Sequence, residues 1–122
     1  MAKTILIVDD SSSLRNVVKI ALVDAGYDVI EGGDGREGIQ ALDGRKVHLI
    51  ISDVNMPNMD GISMVKEIKT MASYQFTPII MLTTEAGDDL KSQGKAAGVK
   101  AWVVKPFKPD QMLNAVSKLI MP

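Results

Sequence analysis

Short apolar runs and stretches of helical periodicity take turns along this chain, and that alternation restricts its fold more than any other feature. The runs lie at Ile5–Val8, Asp28–Glu31, Leu49–Ile51, Pro78–Leu82 and Ala101–Val104. The central run, Leu49–Ile51, is apolar without alternation and leads through Ser52 to Asp53. Pro57 and Asn58 close that segment and Gly61 opens a helix. An unbroken apolar run bounded by turn residues predicts a strand covered on both faces, as in a parallel sheet. After the first run, Leu14, Val17, Val18, Ala21, Leu22 and Ala25 recur at helical spacing. Ser11, Ser12 and Ser13 are candidate caps before them, and Gly26 fits the position just past the helix end. A short helix from about Arg36 to Leu42 offers Ile39 and Leu42 to the core, and one beginning at Gly61 offers Ile62, Val65, Ile68 and Ala72. The stretch from about Ala86 to Ala97 has Leu90 as its only large apolar residue, so it is expected to dock weakly. The last helix, with Pro109 in its first turn, presents Met112, Leu113, Val116, Leu119 and Ile120. Five strands alternating with five helices through short loops predict right-handed crossovers and a three-layer α/β sandwich around a parallel sheet.

The chain has 122 residues, suited to one domain over 1–122. Its 14 basic and 15 acidic side chains give a net charge of −1, which supplies no electrostatic case for binding nucleic acid or a membrane surface. With no cysteine, disulfides and thiolate metal sites are excluded. No apolar stretch has the length of a signal peptide core or a membrane span, so a cytoplasmic domain is expected. The last helix ends just before Pro122, and no attached effector domain is expected.

In a parallel sheet every strand points its carboxyl end at the same edge, where ligands bind in open α/β folds. The groups arriving at that edge are Asp9 and Asp10, Asp53, Thr83 and Lys105. Carboxylates about 4 Å apart repel by about 4 kcal/mol per pair at an effective dielectric near 20. They stay together where a cation or a proton neutralises them. Hard oxygen donors with open positions suit Mg²⁺, which keeps waters and binds phosphate oxygens. Lys105 adds a positive point charge for an anionic group, and the Thr83 hydroxyl adds a donor. The predicted pocket therefore takes a divalent metal together with a phosphoryl group.

The segments VDD at Val8–Asp10, SDVNMPNMDG at Ser52–Gly61, the Thr83 strand end and AWVVKPF at Ala101–Phe107 resemble the receiver domain of two-component response regulators. The likeness covers essentially the full chain and is greatest to the single-domain, CheY-like chemotaxis regulators. It implies the flavodoxin-like strand order 2-1-3-4-5. It also implies Asp53 as the residue phosphorylated, with Mg²⁺ held by Asp10, Asp53 and the Asn55 backbone carbonyl and reached by Asp9 through water. Thr83 and Lys105 would bind phosphoryl oxygens, and Lys105–Pro106 would be a cis peptide. Asn55 and Glu85 would tune hydrolysis of the acyl phosphate. The implied switch has Thr83 moving toward the phosphoryl group and vacating space that the aromatic ring of Trp102 enters. The implied donor is a phosphohistidine on a CheA-like sensor histidine kinase, with a phosphatase or another output protein as a further partner.

This chain departs from motor-binding relatives on the face built by the fourth helix, fifth strand and fifth helix. Gly87, Asp88 and Ala115 stand where basic residues are usual, so contact with the flagellar switch is expected to be weak or absent. Trp102 stands where a smaller aromatic is typical, and a bulky indole predicts only a partial inward shift on activation. A monomer is expected. The single histidine, His48, is assigned no role. Two other classes compete. A flavodoxin-like flavin module would use the loop after the first strand for phosphate, but Asp9 and Asp10 would repel it and few aromatics are available to sandwich the flavin. A small-molecule phosphohydrolase with an aspartyl-phosphate intermediate would need a substrate cap, and a second aspartate where this chain has Asn55.

Overall fold

The computed structural model describes residues 2–122. Strands β1 (Thr4–Val8), β2 (Asp28–Gly32), β3 (Leu49–Ser52), β4 (Ile79–Thr83) and β5 (Ala101–Val104) alternate with five helices. The helices are α1 (Ser12–Asp24), α2 (Gly35–Leu42), α3 (Gly61–Ile68), α4 (Asp88–Ala97) and α5 (Pro109–Leu119). All strand pairs are parallel and the order is β2-β1-β3-β4-β5, as the sequence reading expects.

The sheet divides two apolar cores. On one side Val18 and Leu22 of α1 and Met112 and Val116 of α5 pack on Ile5, Ile7, Leu49, Ile51, Ile80 and Leu82. On the other side Leu42 of α2 and Met64, Val65 and Ile68 of α3 pack on Leu6, Val8, Ile50, Ile79 and Met81. Alternation along β1 and β3 sends successive side chains to opposite layers, which is why both strands are apolar throughout. Each such fully buried side chain stabilises the fold by about 1.5–3 kcal/mol relative to exposure.

The helix ends follow local chemistry. Ser11 caps α1 by accepting from the Leu14 amide, and Gly26 beyond its end takes a positive φ of 97°. Asp34 and Asp60 cap α2 and α3 in the same way. Several helical expectations need correction. Val17 is 50% exposed, because α1 turns only Val18 and Leu22 fully onto the sheet. Ala25 and Ala72 are also exposed: Ala25 is the C-cap of α1, and α3 ends at Ile68, four positions before Ala72. The fourth helix begins at Asp88, not Ala86, with Gly87 as a cap residue that makes no side-chain bond. Its weak docking is borne out: Gly94 is its only buried residue, and Leu90 is partly buried against the core. His48 has a structural place, its Nδ1 accepting from the Thr4 amide at 3.0 Å. Among the described residues no helix is long and apolar enough to cross a membrane.

Candidate functional site at the carboxyl edge of the sheet

The register brings the strand tips level. Val8 of β1 pairs with Gly32 of β2 and Ser52 of β3, and Thr83 of β4 pairs with Val104 of β5. The residues following β1 and β3 are thus neighbours, and the ladder runs on past them. The Asp53 amide donates to Val8 O at 2.9 Å, and the Asp9 amide donates to Gly32 O at 3.1 Å. One carboxylate oxygen from each of Asp9, Asp10 and Asp53 lies within 4.8 Å of the others. Asp9 is buried, Asp53 intermediate and Asp10 exposed, so the cluster opens to solvent on one side.

Lys105 closes the other side. Its ammonium donates to Asp9 Oδ2 at 2.8 Å and to Asp53 Oδ2 at 3.3 Å, with the lysine side chain only 8% exposed. The remaining oxygens of the two acids are held by backbone: the Ser11 amide donates to Asp9 Oδ1, and the Val54 amide to Asp53 Oδ1. Arg15, which sequence reasoning passed over, donates to the Asp9 carbonyl at 2.6 Å and pairs with Glu31. Three carboxylates against one ammonium leave a formal excess of two negative charges at an open edge. That donor set, all hard oxygen, fits a divalent cation such as Mg²⁺.

Thr83 is fully buried at the tip of β4, where its hydroxyl accepts from the Glu85 amide at 3.2 Å. Asn55 lies in the β3–α3 loop with its side-chain amide donating to Glu85 Oε1 at 2.5 Å. Glu85 thereby links the two positions, and its carbonyl accepts from the Trp102 indole N–H at 2.7 Å. The Lys105–Pro106 peptide is cis. The Trp102 side chain packs onto the fold. The ring is half buried against the α3-side core and over Gly94, where a Cβ would come within 2.7 Å of Trp102 Cζ3. The absence of a side chain at Gly94 is what seats the indole, a pairing across the fold that no local spacing reveals.

Parallel sheet order, clustered acids at the strand tips and a lysine bridging two of them define a receiver-type α/β domain. The model of the response regulator receiver domain family matches residues 5–117, and the chain belongs to that family. Among curated relatives, chemotaxis protein CheY1 of Helicobacter pylori is 40% identical over 108 residues, 87% of each chain. Chemotaxis protein CheY of Bacillus subtilis is 37% identical over 123 residues, covering 98% of this chain and 99% of that one. Among solved structures, chemotaxis protein CheY4 of Vibrio cholerae superposes with a TM-score of 0.93 at 44% identity, covering 98% of this chain and 99% of that one. The chain is a CheY-like receiver, and neither the flavin-module nor the phosphohydrolase reading is favoured.

Proposed function

We propose that this domain accepts a phosphoryl group on Asp53 from a phosphohistidine of a CheA-like sensor kinase, acts in a chemotaxis-type pathway in the cytoplasm, and removes the group itself. The observation that carries the reading is the pairing of Lys105 with both Asp9 and Asp53 beside an otherwise uncompensated acidic cluster. A phosphoryl acceptor needs a carboxylate at an open edge, a site for a divalent cation and a positive charge, and Asp53, the acidic cluster and Lys105 would meet these needs.

In the proposed reaction an Asp53 carboxylate oxygen attacks phosphorus in line. The new O–P bond forms as the donor's N–P bond breaks, and the imidazole departs with the electron pair. Mg²⁺, held by Asp10, Asp53 and the Asn55 carbonyl and near Asp9, would neutralise charge on the equatorial phosphoryl oxygens. Lys105 transfers one of its hydrogen bonds from the Asp53 carboxylate to a phosphoryl oxygen. The Thr83 hydroxyl turns from the Glu85 amide toward another oxygen, releasing the loop that holds Trp102. Asn55 and Glu85, bonded to each other at the rim, would govern a hydrolytic water.

The output face would differ from that of motor-binding relatives at the start of α4. Asp88 and Asp89 occupy the first turn of α4, whereas Lys91, Lys95 and Lys100 line a concavity of about 460 Å³ beside Trp102. Positive charge is present on this face but displaced from the start of α4, which favours an output other than the flagellar switch. Transfer of label from a phosphorylated CheA-type kinase tests the reading. Transfer that needs Mg²⁺ and is abolished by a chelator supports it; equal transfer without Mg²⁺ contradicts it.

A further inference from the structure

The β2–α2 loop lies beside the acidic cluster without contributing a carboxylate to it, yet it is tied to both of the cluster's walls. At one end Gly32 O accepts from the Asp9 amide at 3.1 Å. Two residues further on, Asp34 is only 6% exposed and uses both carboxylate oxygens as acceptors. Oδ1 takes the Glu37 amide at 2.8 Å and so caps α2, while Oδ2 takes the Asn58 side-chain amide at 2.7 Å. Asn58 sits at the apex of the β3–α3 loop with a φ of 65°, a left-handed conformation that asparagine tolerates better than most residues. A second tie follows directly, the Gly35 amide donating to Met59 O at 3.1 Å. The approach is close enough that a Cβ at Gly35 would come within 2.7 Å of that same carbonyl. Between Asp53 and this apex lies Asn55, and the loop is closed beyond it by the Gly61 amide on Val54 O at 2.8 Å.

We propose that Asp34 and Asn58 form a positioning strut that holds the backbone at Asn55 in place for divalent-cation binding, through the clamp of the β3–α3 loop against the start of α2. The inference rests on the reading of Asn55 as a cation ligand. Groups that orient a ligand from behind commonly change metal affinity by 10–100-fold when removed. Asp34 suits the task because it alone presents two acceptors, one for its own helix and one for the neighbouring loop. An aspartate at 58, an acceptor only, has no proton to give Oδ2 and breaks the strut while leaving the cap.

That asymmetry supplies a rescue test. In Asn58→Asp the strut is broken; in the double variant Asp34→Asn/Asn58→Asp the new amide at 34 donates to the new carboxylate at 58 and its oxygen still caps α2. Two quantities are read: Mg²⁺ affinity by calorimetry, and hydrogen exchange of the Met59 and Gly61 amides in metal-free protein. Tyr74→Phe, which removes the hydroxyl bonds to Leu42 O and Arg45 O at the far end of α2, controls for loss of stability alone. Expected is an about tenfold weaker Mg²⁺ affinity and faster loop exchange in Asn58→Asp, with both restored in the double variant and affinity unchanged in Tyr74→Phe. Wild-type affinity in Asn58→Asp, or a double variant no better than the single one, would overturn the strut. A wild-type protein that takes up no Mg²⁺ would instead overturn the cation site on which it rests.

Discussion

The indole N–H of Trp102 donates to the carbonyl of Glu85 at 2.7 Å, and the amide of that same Glu85 donates to the Thr83 hydroxyl at 3.2 Å. One peptide segment thus connects the buried hydroxyl at the tip of β4 to the only tryptophan in the chain. A Thr83 hydroxyl drawn toward a phosphoryl group would abandon the Glu85 amide and free the segment on which the indole is hung. Emission should therefore change on adding beryllofluoride with Mg²⁺, stay constant in Asp53→Asn, and change less in Thr83→Ala. Because the ring is seated over Gly94, Gly94→Ala should expel it and shift resting emission to the red, overpacking costing typically about 1–3 kcal/mol. Strong quenching by Mg²⁺ alone would contradict this route, since Val54, not an aromatic, stands next to the acceptor.

A division of labour is expected between Asp10 and Lys105. Asp10 is exposed at the open side of the cluster, while Lys105 is buried against Asp9 and Asp53. Asp10→Asn should weaken Mg²⁺ binding and slow phosphorylation. Lys105→Ala should leave Mg²⁺ binding intact or strengthen it, because a competing positive charge is gone, yet phosphorylation should slow. Titration calorimetry separates the two, and wild-type affinity in both variants would remove Asp10 from the site.

The Asp34 carboxyl is held below its usual range, first by the Asn58 side-chain amide and next by the Glu37 backbone amide. A depressed folded-state pKa contributes stability that is present above the unfolded value of about 3.9 and is lost as pH falls through the folded one. The stability gap between wild type and Asp34→Asn should be level above about pH 5 and narrow on acidification below about pH 4. Urea midpoints across that range measure it. A gap that widens toward low pH would show that the ionised carboxylate is not what the amides favour.

The fold was legible because β1, β3 and β4 are apolar at nearly every position and α1, α2 and α3 carry their own side-chain caps; neither depends on distant residues. The acidic cluster was legible for a related reason, since parallel strands send Asp9, Asp53, Thr83 and Lys105 to one edge whatever their separation in sequence. What periodicity does not specify is how far a helix is rotated onto the sheet, hence Val17, or where it stops, hence Ala72. The Asp34–Asn58 bond spans 24 positions between two loops, and the Gly94–Trp102 seat pairs a missing side chain with a large one. Contacts of that kind exist only after the layers have packed.

Asp53 as the phosphoryl acceptor is the central claim, and intact-mass and peptide mass spectrometry test it most directly. Wild-type protein incubated with acetyl phosphate and Mg²⁺ should gain the mass of one phosphoryl group, lose it again on standing after the donor is removed, and carry it on the peptide containing Asp53. Asp53→Asn removes one repelling charge from the cluster without changing side-chain shape, so it should fold and remain unlabelled. Stoichiometric labelling of the folded Asp53→Asn protein at the wild-type rate, or a label mapped to a peptide lacking residue 53, would contradict the account.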